Sequence, residues 1–173
     1  MAKQLLIMRH AKSAWDTEAA TDFERPLAKR GKTDAPRMGK WLEEQGLIPD
    51  HVVSSPAQRA KQTTMKVCKV MDVKKSKVNW DPRVYGAGTE DLLETLAEVP
   101  SKASRVLLVG HNPGLEFLLS YLASEDGEGI SPEHYLIKTA TVVVLDMPDD
   151  WKHIKPGSAK ALKIQHPKEL DSN

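Results

Sequence analysis

Arg9 and His10 stand side by side at the end of an apolar run, Leu5-Leu6-Ile7-Met8, and the chain later supplies a second arginine, Arg59, and a second histidine, His111. Arg59 falls in the first turn of a candidate helix, where a cation opposes the helix dipole and asks for an anion. His111 follows Gly110 at the end of another apolar run. No carboxylate cluster accompanies these four residues. Guanidinium forks match phosphate oxygens in pairs, and helix N-termini add N–H groups and a positive dipole end, so the natural ligand of such a set is a phosphoryl group. The chain has no Gly-x-x-x-x-Gly-Lys-Ser/Thr loop, which argues against a magnesium nucleotide as the form of that group. Histidines set against arginines also oppose a divalent cation, so neither a metal nor another cofactor is expected. His10 could serve as a passive donor or as a nucleophile. Neighbouring arginines favour its neutral imidazole, and a neutral ring nitrogen can attack phosphorus in line while cations hold the equatorial oxygens.

The elements that would position these residues read as alternating strands and helices. Leu5 to Met8 is a buried strand. Residues 15–27 are an irregular polar loop, closing with Asp22-Phe23-Glu24-Arg25-Pro26-Leu27, in which Pro26 keeps Arg25 out of a helix. Ala35, Met38 and Leu42 mark one face of a helix that stops near Gly46, and Pro36 predicts either a kink or a helix beginning near Asp34. Residues 50–56 read as a second short strand running into a helix start, with Ser55 as cap and Pro56 as first residue of a helix with Ala60, Thr64, Val67, Cys68 and Met71 inward. A third strand is expected over residues 77–80, followed by a loop at 85–88 and a helix over 89–99. Val106 to Val109 is the clearest strand, apolar throughout as a strand covered on both faces should be. Beyond it Asn112 can cap, and Pro113 can open, a helix with Leu115, Leu118, Leu119 and Leu122 inward. A polar loop spans residues 125–129. Strands at 141–145 and 161–165 form a closing pair. This pattern predicts a largely parallel, covered sheet with a strand pair at one edge, in which residues just past the strand ends share one crevice.

Composition narrows the class further. A chain of 173 residues, 40% hydrophobic and 28% charged, is expected to form a single domain over residues 1–166 with a loose tail at 167–173. Lys and Arg number 25 against 24 Asp and Glu. That balance offers no field for nucleic acid or an anionic membrane, and the four tryptophans form no basic-aromatic stripe. The single cysteine, Cys68, cannot pair within the chain, which suits a reducing cytosol, and no catalytic cysteine is expected. No stretch reads as a signal h-region or a membrane span, so the expected location is the cytoplasm. His51, His134, His153 and His166 are expected to be structural or exposed.

Arg9-His10-Ala11, Ser54-Ser55-Pro56 with Arg59, and Gly110-His111 together resemble the signature of the histidine phosphatase superfamily, which is phosphoglycerate mutase-like in fold. The short chain, Asp22-x-x-Arg25-Pro26-Leu27 and Val109-Gly110-His111-Asn112-Pro113 resemble its SixA-type phosphohistidine phosphatases. The resemblance implies a three-layer α/β/α fold and a phosphohistidine intermediate on His10. It also implies that Arg9, Arg59 and His111 hold the phosphoryl oxygens, that Arg25 contacts substrate, and that Ser13, Asp16 and Asn112 lie in the binding region. Two positions depart from the family pattern. Ala11 stands where glycine is commoner, and Asp16 stands where asparagine is usual. A general acid, if used, would be Glu90 or its neighbour Asp91, although acids in the first turn of a helix are favoured by the dipole alone.

If the substrate is phosphohistidine, the leaving imidazole can be protonated near neutral pH and a strong protein acid is less necessary. The expected activity is therefore a metal-independent phosphatase acting as a monomer on a phosphohistidine-bearing signalling or phosphotransfer protein. A small-molecule phosphomonoesterase and a non-catalytic phospho-binding module are the alternatives.

Overall fold

The computed structural model describes residues 2–125 and 129–172. Its centre is strand β1, Lys3–Arg9, and strand β4, Arg105–Gly110, which pair in parallel. Side chains alternate across a strand. Leu5, Ile7, Val106 and Leu108 therefore enter one apolar cluster, while Leu6, Met8, Leu107 and Val109 enter the other. All eight are fully buried.

The rest of the sheet is strand β2 (His51–Ser54), β3 (Val78–Trp80), β5 (Val142–Met147) and β6 (Lys160–Gln165), in the order β3-β2-β4-β1-β5-β6. The first four run parallel; β5 is antiparallel to β1 and β6 to β5, with an irregularity between Val144 and Leu145. Helices α1 (Lys29–Glu44) and α2 (Gln58–Met71) cover one face. Helices α3 (Thr89–Ala97) and α4 (Gly114–Leu122) cover the other, so the architecture is the three-layer α/β/α sandwich expected. Among the described residues no helix is long and apolar enough to cross a membrane. Cys68 sits in the core, where burial pushes its thiol up to about 11.

Several element ends differ from the sequence expectation. Helix α1 begins at Lys29, not near Asp34, and runs through Pro36. Its early start is held by Gly31, where the carbonyl of Lys12 would lie 2.2 Å from any added Cβ, so only glycine lets the chain after His10 press on the helix. Helix α2 is capped by Ala57 rather than by Ser55. Helix α3 is capped by Gly88, whose N–H donates to Asp91 (3.0 Å), and α4 by Pro113 in place of Asn112. Residues 167–172, expected as a loose tail, form a 3-10 helix whose Leu170 packs against the cluster beneath α1. The polar loop expected over residues 125–129 falls at 126–128 outside the described residues.

Gly31→Ala forces the Lys12 backbone to retreat, and overpacking of this kind costs about 1–3 kcal/mol. The variant should unfold at a measurably lower urea midpoint with an unchanged slope. A midpoint equal to that of the parent would contradict the packing account.

Candidate active site

The β1–β4 register builds the centre of the site. Arg9 lies opposite Gly110, so the next residues, His10 and His111, leave the sheet as neighbours. Their ring centroids are 5.0 Å apart. Strand β2 adds the third partner. Ser54 lies opposite Val109, and Ser55 donates its N–H to the Val109 carbonyl (3.0 Å). The Ser55 hydroxyl then lies 2.8 Å from His111 Nε2. Ser55 was expected to cap a helix; the structure shows it holding a histidine.

His10 is 6% exposed, and its Nδ1 lies 2.8 Å from the carbonyl of Ala11. A carbonyl only accepts, so Nδ1 carries the proton in the neutral ring and Nε2 keeps its lone pair. Nε2 makes no hydrogen bond to the described residues. Burial, reinforced by His111, Arg59 and Arg9, pushes the His10 imidazolium down to about 3, although the Ala11 bond acts the other way. Burial, then Arg59 and Arg9, lowers His111 to about 4 against an opposing contribution from Asp22. Both histidines are therefore neutral at pH 7, and burial contributes more to this than the arginines do.

The cations are held by internal partners. Arg59, 7% exposed, donates from Nη1 to the Asp22 carbonyl (2.7 Å) and from Nη2 to the Asp22 carboxylate (2.9 Å). The Tyr85 hydroxyl donates to the same carboxylate oxygen (2.7 Å), and Arg25 faces the other oxygen at 3.3 Å. The Tyr85 hydroxyl first, and Arg59 after it, hold the Asp22 carboxyl below the ordinary range. Arg25 also donates to the Ser13 hydroxyl and lies 3.6 Å over the exposed Trp15 ring. Arg9 Nη1 (3.2 Å) and Asn112 Nδ2 (2.7 Å) donate to the carbonyl of buried Ile137, whose N–H donates to Glu116 (2.8 Å). Ala140 donates its N–H to the Arg9 and His10 carbonyls from a left-handed conformation, φ 60°.

Buried polar atoms are almost always hydrogen-bonded. Among the described residues, the buried side-chain atoms without a partner are Arg9 Nε, Arg25 Nε, His111 Nδ1 and Asn112 Oδ1. All four belong to residues singled out from the sequence, and three are on Arg9, Arg25 and His111, whose nitrogens can serve an anion. Ala11 takes an ordinary backbone conformation and donates to Thr63 Oγ1 (3.0 Å), so alanine in place of glycine carries no strain. Asp16 is exposed and makes no hydrogen bond or ion pair among the described residues. The same holds for Glu90, while Asp91 is engaged at the start of α3. No group of three His, Cys, Asp or Glu among the described residues could hold a metal ion.

Sequence reasoning missed three contributors. Asp22 was visible only as part of a motif with Arg25, with no local sign that it meets Arg59. Tyr85 was assigned to a loop, yet its ring meets His111 in a T-shaped contact with centroids 5.4 Å apart. Ile137 carries no chemical signal at all, because its contribution is a backbone carbonyl.

A mixed α/β/α sandwich thus sets two neutral histidines side by side, with Arg9 and Arg59 near enough to act on both. Residues 5–84 match the model of the histidine phosphatase superfamily, branch 1. Phosphohistidine phosphatase SixA of Escherichia coli is 30% identical, over 83% of this chain and 86% of that one. An uncharacterized protein of Mycobacterium tuberculosis is 31% identical, over 93% of this chain and all of that one. Among solved structures, a SixA phosphohistidine phosphatase from Nakamurella multipartitia superposes with a TM-score of 0.84 at 29% identity, covering 96% of this chain and 97% of its own. The protein histidine phosphatase SixA complexed with tungstate superposes at 0.75 and 26% identity, covering 96% and 99%. The chain belongs to the histidine phosphatase superfamily.

Two outcomes follow from this geometry. Native-state His10 and His111 should show no NMR titration between pH 8 and 5; a midpoint near 6.5 for either would contradict their burial. Because the unfolded histidines take up protons below about 6.5 while the native ones stay neutral, each lowers stability by about 1.4 kcal/mol per pH unit as pH falls from there towards 4. Separately, Asp22→Asn removes a carboxylate that competes for Arg59 while the Asp22 carbonyl still holds Nη1. Binding of tungstate, used as an oxyanion probe, should tighten by about two- to fivefold, the scale of one partly exposed ion pair. Weaker binding would contradict the competition.

Proposed function

We propose that this chain is a phosphohistidine phosphatase that carries the phosphoryl group transiently on His10 Nε2. The observation that supports it most is a buried, neutral His10 with an unbonded Nε2, set beside His111 and acted on by Arg9 and Arg59, with buried nitrogens of Arg9, Arg25 and His111 left unpartnered. Tungstate in the SixA neighbour, an oxyanion, agrees with that reading.

The chemistry runs in two displacements. Nε2 of His10 attacks phosphorus, a new N–P bond forms, and the P–N bond to the substrate imidazole breaks. The departing imidazole nitrogen takes its proton from water or solvent acid, which it can do near neutral pH. Water then attacks the phosphoryl group on His10, phosphate leaves, and Nε2 regains its lone pair. Arg9, Arg59 and His111 hold the equatorial oxygens throughout, in a desolvated setting where such donors act strongly. With the Ser55 hydroxyl donating to Nε2 of His111, that ring carries its proton on the unpartnered Nδ1 and presents a donor to the oxyanion. Glu90, exposed and bonded to nothing at the site, supports a leaving group that needs no strong protein acid. Arg25, steadied by Ser13 and Trp15, would meet the substrate beyond the phosphoryl group, with Asp16 and Asn112 at the margins. We further propose a cytoplasmic monomer whose catalytic unit is residues 1–166.

The test is turnover of a phosphohistidine-bearing phosphotransfer domain against p-nitrophenyl phosphate, with rapid quenching to trap acid-labile phosphate on the protein. The phosphoprotein should be the better substrate, and EDTA should leave the rate unchanged. His10→Ala should lose at least about a thousandfold in kcat/KM and all trapped phosphate. Full activity in His10→Ala, or faster turnover of the ester, would overturn the proposal.

A further inference from the structure

A groove of about 880 Å3 opens beside the active site between the first turns of α1, residues 138–139 and residues 166–168. Its charge is one-sided. Lys29, Arg30, Arg37, Lys138 and Lys168 line it against a single carboxylate, Asp34. That carboxylate is already shared, with Arg30 at 3.7 Å and Arg37 at 3.5 Å. Lys29, Lys138 and Lys168 are exposed and make no ion pair or hydrogen bond through their side chains among the described residues. Three uncompensated cations in one groove stand out in a chain whose net charge is +1.

The groove is joined to the catalytic strand through the backbone. Ala140, two residues after Lys138, donates to the carbonyls of Arg9 and His10, and Thr141 in turn donates to the Lys138 carbonyl. On the other wall Ala28 donates to the Lys12 carbonyl, two residues past His10, and Arg30 reaches Thr139 Oγ1 at 3.5 Å. Met8 and Gln165 both pair with Val142, so the groove and His10 lie at the same end of the sheet.

The donors suit a protein surface better than a small ligand. Among the described residues the unpartnered buried side-chain atoms are on Arg9, Arg25, His111 and Asn112, and none is on a residue lining the groove. Its free charges are lysines, flexible point charges that steer and orient a partner through long-range attraction and lack the fixed fork geometry of arginine.

We infer that the groove of Lys29, Lys138 and Lys168 docks an acidic face of the phosphorylated protein substrate. This rests on the phosphohistidine phosphatase reading above. The attraction sets encounter and binding of the protein and takes no part in the phosphoryl chemistry, so it affects KM for a protein and leaves a small substrate untouched. Exposed charges separated by more than about 8 Å are screened at physiological salt, so the docking is also salt-sensitive.

The experiment compares the parent with Lys29→Glu/Lys138→Glu/Lys168→Glu, and with Lys74→Glu/Lys75→Glu at the opposite end of the sheet as a charge control. Substrates are a phosphohistidine-bearing phosphotransfer domain of net negative charge and p-nitrophenyl phosphate. The triple variant should raise KM for the domain by about tenfold with kcat nearly unchanged, lose the parent's salt dependence, and keep p-nitrophenyl phosphate turnover within about twofold. The control should behave as the parent. An unchanged KM for the domain, an equal loss on both substrates, or an equal effect of the control overturns the docking assignment while leaving the catalytic reading standing. A parent that cleaves p-nitrophenyl phosphate and never the phosphorylated domain overturns both.

Discussion

Everything at this site depends on the parallel pairing of β1 with β4 in a register that sets Arg9 opposite Gly110. Both strands are apolar on both faces, so a slip of one residue would carry every side chain to the opposite cluster and break the packing on each side of the sheet. The register is therefore held by the whole core. Its chemical result is that two histidines emerge together, close enough to interact and buried enough to stay neutral. Burial costs the charged form of each ring, and that cost makes a nitrogen lone pair available at ordinary pH.

Burying a guidinium group raises the opposite problem, since Arg59 cannot shed its charge. The fold answers with Asp22, whose carbonyl and carboxylate both accept from Arg59 and whose carboxylate also meets Tyr85 and Arg25. Arg9 is anchored in a milder way, on the Ile137 carbonyl that it shares with Asn112. Each arginine is thus preorganised by contacts that leave other donors unspent. An oxyanion arriving at such a site meets groups already oriented, which is where electrostatic stabilisation of a transition state is most effective.

The charges divide by chemistry as well as by place. Around His10 the donors are arginines and a histidine, rigid, partly desolvated and aimed. In the neighbouring groove the free cations are lysines standing in solvent. Fixed forks suit recognition of one phosphoryl group; mobile ammonium groups suit attraction of a surface. The same fold presents both within one stretch of backbone, because residues 138–141 line the groove at one end and bond to Arg9 and His10 at the other.

Much of this was legible in the chain itself. Apolar runs at Leu5 to Met8 and Val106 to Val109 specified buried parallel strands, because strands covered on both faces must be apolar throughout, and the residues ending those runs, Arg9-His10 and Gly110-His111, meet in the fold. Arg59 announced an anion by its unfavourable place in a helix's first turn. The tertiary structure alone decided that Asp22 is an anion Arg59 meets, because nothing local joins Asp22 to a residue 37 positions away. It also reassigned Ser55 and Asn112. Both are ordinary capping residues by local preference, yet sheet register turns Ser55 towards His111, and the packing of residues 129–141 gives Asn112 the Ile137 carbonyl. Local propensity describes how a residue can satisfy its neighbours along the chain; the contacts that tune this site are made across it, by residues that only folding brings within reach.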